Sequence, residues 1–503
     1  MDDELSWASA HHLRSLIGAR QLSPVELLEH CLARIEVLEP SLHAFITVAA
    51  ERAMDQARRA EDAVARGEEL GPLHGVPVAV KDEVWTEGIA SSGGSMVFGR
   101  FVPGRDGTVA ERLRGAGAVI VGKTSLPEFA VWPRSKHRLG GESVNPWDAR
   151  RISGASSGGS AASVSAGLVP LAVGSDGGGS IRIPSAICGT TGLFPTPGRI
   201  PSYGSFSYSL GGSLGPIARD VRDVALLQQV LAGPDARDAG ALTTAPPDVL
   251  GGLDDGMTGL RVGWSLDLGH LQPRPEVARL VEQAIAVLGG LGARSEAFAD
   301  RIDHPWGADM RGALMQLQAV VAAQDWVLDD DPAAIPELVD EDWMWAVFGT
   351  NTPFTASAGF LELCVRHQQL LAPNGQLSVG MGLPQLDAAE LARQAALRTQ
   401  FLGLFDRYDV ICTPTMTDVA PIAPDGWASP YPDDLMGTGF TFIANHAGCP
   451  AATIPCGFVD GLPVGLQVIG RPGDEATVLR TIRAYEGARP FGPESLRPPL
   501  DGA

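Results

Sequence analysis

The chain has 503 residues, 45% of them apolar, enough to bury a large core. Its 61 glycines and 38 prolines are scattered without a collagen-like or low-complexity period, and no uncharged apolar run approaches the ~18 residues that would cross a membrane. The formal net charge of −21, from 59 acidic against 38 basic residues, repels phosphate backbones, so no nucleic-acid partner is expected.

The opening residues, MDDELSWASAHH, are acidic and polar. They lack the basic and apolar regions of a secretory leader, which points to the cytoplasm. Ser23-Pro24-Val25-Glu26 is a capping box with proline at the first helical position. Leu27, Leu28, Cys31, Leu32, Ile35 and Leu38 then recur at helical spacing, to a stop near Pro40. A second helix is expected at about 49–66. HGVPVAVKDEV and AGAVIVGKT read as buried strands around the helix TVAERLRGAG. Residues 151–167, RISGASSGGSAASVSAG, are almost all small and read as a loop followed by a tightly packed helix. LVPLAVG is a strand, and VGSDGGGSIRIPS at 173–185 reads as a glycine turn set in a buried sheet. A helix is predicted near 221–233 and a strand at LRVGWSL. Residues from about 305 to 400 form a helical insert bearing Trp326, Trp343 and Trp345, expected to be a substrate wall or lid. The tail returns to strands at DVICTPT, AATIPCGFV and PVGLQVIG before the helix EATVLRTIRAYEGA. Helices alternating with continuously apolar strands predict an α/β fold, one domain over residues 1–503, with helices on both faces of the sheet.

Several motif matches carry less than their patterns suggest. GAVIVGKT, residues 117–124, fits the P-loop expression, but its intervening residues are themselves a strand and cannot cradle phosphate. Gly154-Ala155-Ser156-Ser157-Gly158 fits the nucleophile-elbow pattern, yet the polar NPWDARRIS before it is no buried strand. Cys188 reads as a small buried apolar residue. Six cysteines without a CxxC pair fit reduced thiols, and ten histidines without metal-ligand spacing give no metal or cofactor site.

Two features do carry chemistry. Only three lysines, Lys81, Lys123 and Lys136, stand against thirty-five arginines. Arginine does not give up its proton in a protein, whereas a desolvated lysine can. Lys81 ends the apolar run GVPVAVK, where an ammonium loses its water. Asp176-Gly177-Gly178-Gly179-Ser180, at a strand end, can aim successive N–H groups at one point, as an oxyanion hole requires, with Ser180 beside them as the attacking hydroxyl. Spacing alone is equally compatible with a tight turn or a close strand–helix crossing.

The stretch SGASSGGSAASVSAGLVPLAVGSDGGGSIRIPSAICGTTGL resembles the signature of the amidase signature family, serine hydrolases with a Ser-cisSer-Lys triad. LHGVPVAVKD resembles the family's lysine strand, GKTSLPEFA its following segment, and FTFIANHAGCPAATIPCGFVDGLPVGLQVIG its C-terminal sheet. The resemblance implies a central mixed β-sheet and no cofactor or metal. It assigns Lys81 as catalytic lysine, Ser156 as the bridging serine after a cis peptide, and Ser180 as nucleophile. Gly177, Gly178, Gly179 and Ser180 become the oxyanion hole, with Asp176 and Arg182 in support. Departures are Ala155 before the cis bond, Gly177 in the turn and Phe194 where lysine is common.

A lysine of ordinary pKa, about 10.4, is neutral only about once in 2,500 at pH 7, a deficit of roughly 4.6 kcal/mol. Burial can lower that pKa by up to about 3–5 units. Neutral Lys81 would take a proton from Ser156 while Ser156 takes one from Ser180. The activity expected is hydrolysis of C–N bonds in small, largely apolar, aryl amides or carbamates (urethanes) through an acyl- or carbamoyl-enzyme. Phe129, Trp132, Arg199, Met436 and Gly437 are expected substrate contacts. The expected partner is that small molecule alone, with no nucleic acid, no membrane, and a monomer or homodimer. The alternative is the A subunit of a tRNA-linked amidotransferase, whose partner proteins would carry the RNA contacts.

Overall fold

Helix chemistry acts where the sequence places it. Ser23 Oγ accepts from the N–H groups of Val25 and Glu26 at 2.9 and 3.3 Å, and Glu26 accepts from the Ser23 N–H at 3.3 Å. The helix Pro24–Leu42 follows, so Pro40 lies inside its last turn instead of ending it. His43, at φ 49°, turns the chain out, and Glu39 takes the N–H groups of Ala44 and Phe45 at 3.0 and 2.9 Å. The computed structural model describes residues 3–206, 211–305, 344, 366–373, 388–431 and 437–500. Most of the insert expected at about 305–400, with Trp326, Trp343 and Trp345, lies outside these residues; its end, Ala388–Gly403, is helix.

One eleven-stranded sheet organises the described chain. Numbered along the chain, its strands are β1 (Phe45–Val48), β2 (Pro77–Lys81), β3 (Val119–Thr124), β4 (Leu171–Asp176), β5 (Thr191–Phe194) and β6 (Ser213–Ala218), followed by β7 (Arg261–Trp264), β8 (Arg294–Ala297), β9 (Val410–Pro414), β10 (Ala451–Val459) and β11 (Leu462–Gly470). The spatial order is β1-β3-β2-β4-β6-β5-β10-β11-β9-β7-β8. Neighbours β3, β2 and β4 are parallel, as are β9, β7 and β8, while the pairs between are antiparallel. The sheet is therefore mixed.

Successive residues of β2, β3 and β4 enter different cores. Val78, Val80, Ile120, Leu171 and Val173 pack into one cluster, and Ala79, Val119, Val121 and Ala172 into another. Burial on both faces is why these strands are apolar without alternation. Among the described residues no helix is long and apolar enough to cross a membrane. Two elements differ from the sequence reading. Ile181-Arg182-Ile183 does not continue a sheet; Arg182–Cys188 is a helix. Phe442–Ala447, within the segment read as C-terminal sheet, is also a helix and precedes β10. Both short apolar stretches satisfy either periodicity, and tertiary packing selects the helix.

Candidate active site

The parallel pairing of β2 with β4 sets Val80 beside Val173, so both strands end at the same edge of the sheet. Lys81 is the last residue of β2 and Asp176 the last of β4. Such an edge, beyond the carboxyl ends of parallel strands, is where α/β sheets form their crevices.

The small-residue segment is brought to this edge by close packing. Every residue of the helix Gly158–Ser165 is buried. A Cβ on Gly159 would lie 2.4 Å from both Ala44 O and Ser125 N, so only glycine lets the helix approach that backbone. The peptide bond between Ala155 and Ser156, just before this helix, is cis. Ser157 joins three parts of the site. Its N–H donates to the Ser180 carbonyl at 3.1 Å, its hydroxyl donates to the Ser175 carbonyl at 3.0 Å, and that hydroxyl accepts from the Ser175 N–H at 3.1 Å.

Lys81 is fully buried, and its Nζ donates to the hydroxyls of Ser156 and Ser175, each at 2.7 Å. The structure thus brings together the lysine strand, the cis serine and the turn carrying Ser180. Burial pushes the Lys81 amine down to about 8, against the opposing charges of Glu83 and Asp176. Glu83 Oε2 lies 3.8 Å from Nζ, and burial pushes its carboxyl up while Lys81 pulls it back.

Asp176 and Arg182 form a separate buried network beside the turn. Arg182 Nε and Nη2 donate to the two Asp176 oxygens, both at 2.9 Å. Arg182 Nη1 donates to Thr441 O and Gln467 Oε1 at 2.8 and 2.7 Å, and Nη2 to Asn445 Oδ1 at 2.6 Å. The guanidinium lies 5.0 Å from the ring centroid of Phe194, which gives that residue a role in packing the network. Burial works to raise the Asp176 carboxyl, but Arg182 and the hydrogen bonds around it hold it below its ordinary value.

Asp176 also corrects the expected oxyanion set. Its carboxylate takes the N–H groups of Gly179, Ile181 and Arg182 at 2.6, 3.2 and 3.4 Å. Gly179 is therefore committed to shaping the turn, and the reading narrows to the amides of Gly177, Gly178 and Ser180. Gly179 sits at φ 128°, and a Cβ there would meet Thr441 Oγ1 at 2.3 Å. That hydroxyl donates to Gly178 O at 2.6 Å, so the glycines admit the segment that clamps them.

The expected substrate contacts fare differently. Phe129 and Trp132 are buried, and Phe129 packs edge-on against Phe98 at 6.1 Å. Arg199 is buried too, and its Nε lies 3.5 Å from Glu475 Oε1 in an internal ion pair. Gly437 is described, at φ 78°, whereas Met436 lies outside the described residues. Cys188 is fully buried, its thiol donating to Ser153 O at 3.4 Å, and burial pushes it upward, away from nucleophilic use.

Sequence reasoning missed Glu83, Ser175, Thr441, Asn445 and Gln467. Gln467 left a trace as the one polar residue in the apolar run LPVGLQVIG. Thr441 and Asn445 are four residues apart, but the sheet reading of that segment hid their shared helical face.

Comparison with known proteins places these features in a family. The model of the family described as Amidase matches residues 26–479. The chain is 39% identical to the A subunit of glutamyl-tRNA(Gln) amidotransferase from Symbiobacterium thermophilum over 485 residues, 95% of this chain and 96% of that protein. Among solved structures it is similar to a bacterial aryl acylamidase of the amidase signature family, with a TM-score of 0.81 and 27% identity over 99% of each chain. It is also similar to the A subunit of the Thermotoga maritima glutamyl-tRNA(Gln) amidotransferase, with a TM-score of 0.72 and 28% identity over 99% of this chain and 98% of that one.

These relatives correct two expectations. A free-standing hydrolase of aryl amides or carbamates is overturned by 39% identity, over nearly the full length, to a protein named as part of an amidotransferase. The expectation of a small-molecule partner alone, without nucleic acid, falls with it, because that relative is named for a tRNA. Each has its own physical reason. Chemistry at an amide carbonyl does not specify what lies beyond it, and net charge describes one chain and not what that chain assembles with.

Proposed function

From the premise that this chain belongs to the Amidase family, enzymes that hydrolyse C–N bonds, we propose that it is the amide-cleaving A subunit of a glutamyl-tRNA(Gln) amidotransferase. The observation that carries the reading is 39% identity extending over 95% of the chain and 96% of a relative of that name. The amide-cleaving part of such a reaction draws its nitrogen from a carboxamide, and glutamine carries the required group. With −21 net charge, this chain would leave tRNA contacts to partner subunits.

Lys81, Ser156, Ser180 and the turn amides each have a part in the reaction. Lys81, desolvated and therefore available as the neutral amine, accepts a proton from Ser156 while Ser156 accepts one from Ser180. Ser180 Oγ attacks the donor carbonyl carbon, and the Gly177, Gly178 and Ser180 amides receive the charge on oxygen. The proton returns to the leaving nitrogen as the C–N bond breaks, freeing ammonia for transfer. Water then releases the acyl group from Ser180 by the same relay.

Ammonia release from glutamine by the wild type and by Ser180→Ala tests the chemistry. Addition of the companion subunits of a relative's enzyme, with glutamyl-tRNA, tests the assembly. The expected result is glutamine-dependent ammonia release that Ser180→Ala abolishes and that the complete assembly couples to amidation of the tRNA-borne glutamate. Wild type and Ser180→Ala that are equally inert toward glutamine, alone and in the assembly, would overturn the reading.

A further inference from the structure

Glu83 has no place in the relay just described, yet it is 1% exposed, two residues beyond Lys81, with both carboxyl oxygens buried and neither completing a hydrogen bond of ordinary geometry. We propose that Glu83 is a positioning residue of the proton relay, its carboxylate serving as counter-charge for the ammonium that Lys81 becomes on taking the serine proton. The inference rests on the triad reading of Lys81, Ser156 and Ser180.

Three oxygens stand around Nζ. Ser156 Oγ and Ser175 Oγ lie at 2.7 Å and Glu83 Oε2 at 3.8 Å. A neutral amine has two N–H groups and one lone pair. The lone pair can face the Ser156 hydroxyl while one N–H goes to Ser175. Once the proton arrives from Ser156, the ammonium has three donors for three acceptors, and Glu83 is the acceptor that gains a full opposite charge. The step is a proton transfer alone: the Ser156 O–H bond breaks, an N–H bond forms on Lys81, and Ser156 is refilled from Ser180.

The other buried charges nearby each hold hydrogen bonds of their own. Asp176 is held by both arms of Arg182. Asp82 Oδ2 accepts from Ser92 N–H at 3.0 Å, Gly94 N–H at 3.3 Å and the Ser92 hydroxyl, while its Oδ1 is buried without a hydrogen-bond partner. Lys123 donates to Ser91 Oγ at 2.7 Å and to the Val84 carbonyl. Among the described residues Glu83 is the carboxylate within ion-pair reach of Lys81. A buried carboxylate whose oxygens complete no hydrogen bond is costly, and a glutamine would fill the same space without a charge. The charge is explained if Lys81 must pass through a protonated state in a dry site.

A fluorophosphonate that labels Ser180 tests this without any assumption about substrate. The labelling rate constant is measured across the pH range spanning the Lys81 titration, for wild type, Glu83→Gln, Glu83→Asp and Lys81→Ala. Removing the negative charge destabilises the ammonium, so the Lys81 pKa falls and its base form appears at lower pH. In Glu83→Gln the acid limb should therefore move down by about 1 unit or more, with slower labelling at the alkaline plateau because the base is weaker. Glu83→Asp, which keeps the charge, should move the limb less; it also serves if the glutamine variant does not fold. An acid limb that stays in place in the folded variants, whatever their plateau, overturns the inference, since a packing role would lower the rate without moving the limb. Lys81→Ala that labels like wild type would instead sink the triad reading itself.

Discussion

Two fully buried basic side chains flank the glycine turn, and they are treated in opposite ways. Arg182 has carboxylate, amide and carbonyl oxygens placed against Nε and both terminal nitrogens, all between 2.6 and 2.9 Å. Lys81 has two hydroxyls at 2.7 Å, and the Glu83 carboxylate stands off at 3.8 Å. Saturating pairing fixes a permanent charge and makes it structural. Incomplete pairing leaves a charge poorly compensated for its lost water, so it can depart as a proton. The turn between them has one side that must not change and one that must.

The sharpest break in this comparison is to exchange the chemistry. Lys81→Arg supplies charge but no base, and catalytic turnover should fall by roughly 10²–10⁴-fold, as far as in Lys81→Ala, read as kcat/KM on the donor amide. On the other side, Arg182→Met strands Asp176 in the core. Urea unfolding should show a loss of about 3–5 kcal/mol, with activity lost as a consequence of a disordered turn. Gly179→Ala attacks the boundary, forcing a side chain into a positive-φ position against Thr441. A loss of about 1–3 kcal/mol is expected, and denaturant midpoints check it.

The pH response sharpens the contrast further. Because burial places the Lys81 amine at about 8, its base form grows as pH rises through that value, and wild-type kcat/KM should fall steadily below it. The smallest effect is expected at Arg199, whose guanidinium faces Glu475 and not the turn. Arg199→Gln should leave KM for the donor amide unchanged; a large rise in KM would return Arg199 to the substrate contacts.

Much of the candidate site was legible in the sequence alone. The capping box at Ser23, the continuously apolar strands and the rare lysine at 81 are read from residue type and spacing, because helix caps, apolar runs and residue usage are local features of a sequence. Resemblance then matched Ser156 and Ser180 to their roles. What spacing could not supply was which donors the turn would keep. Gly179 looked like its neighbours until Asp176 claimed its N–H.

The sequence by itself determined the residues proposed for the relay and the apolar strands that carry Lys81 and lead into the glycine turn. Only the tertiary structure decided that Arg182, Asn445 and Gln467 close around Asp176, and that Glu83 comes to stand beside Lys81. Those contacts join residues up to 285 positions apart, or depend on how a buried loop folds back after β2. No period or motif encodes them, because they arise when packing excludes water and each buried polar group must find its partner inside the protein.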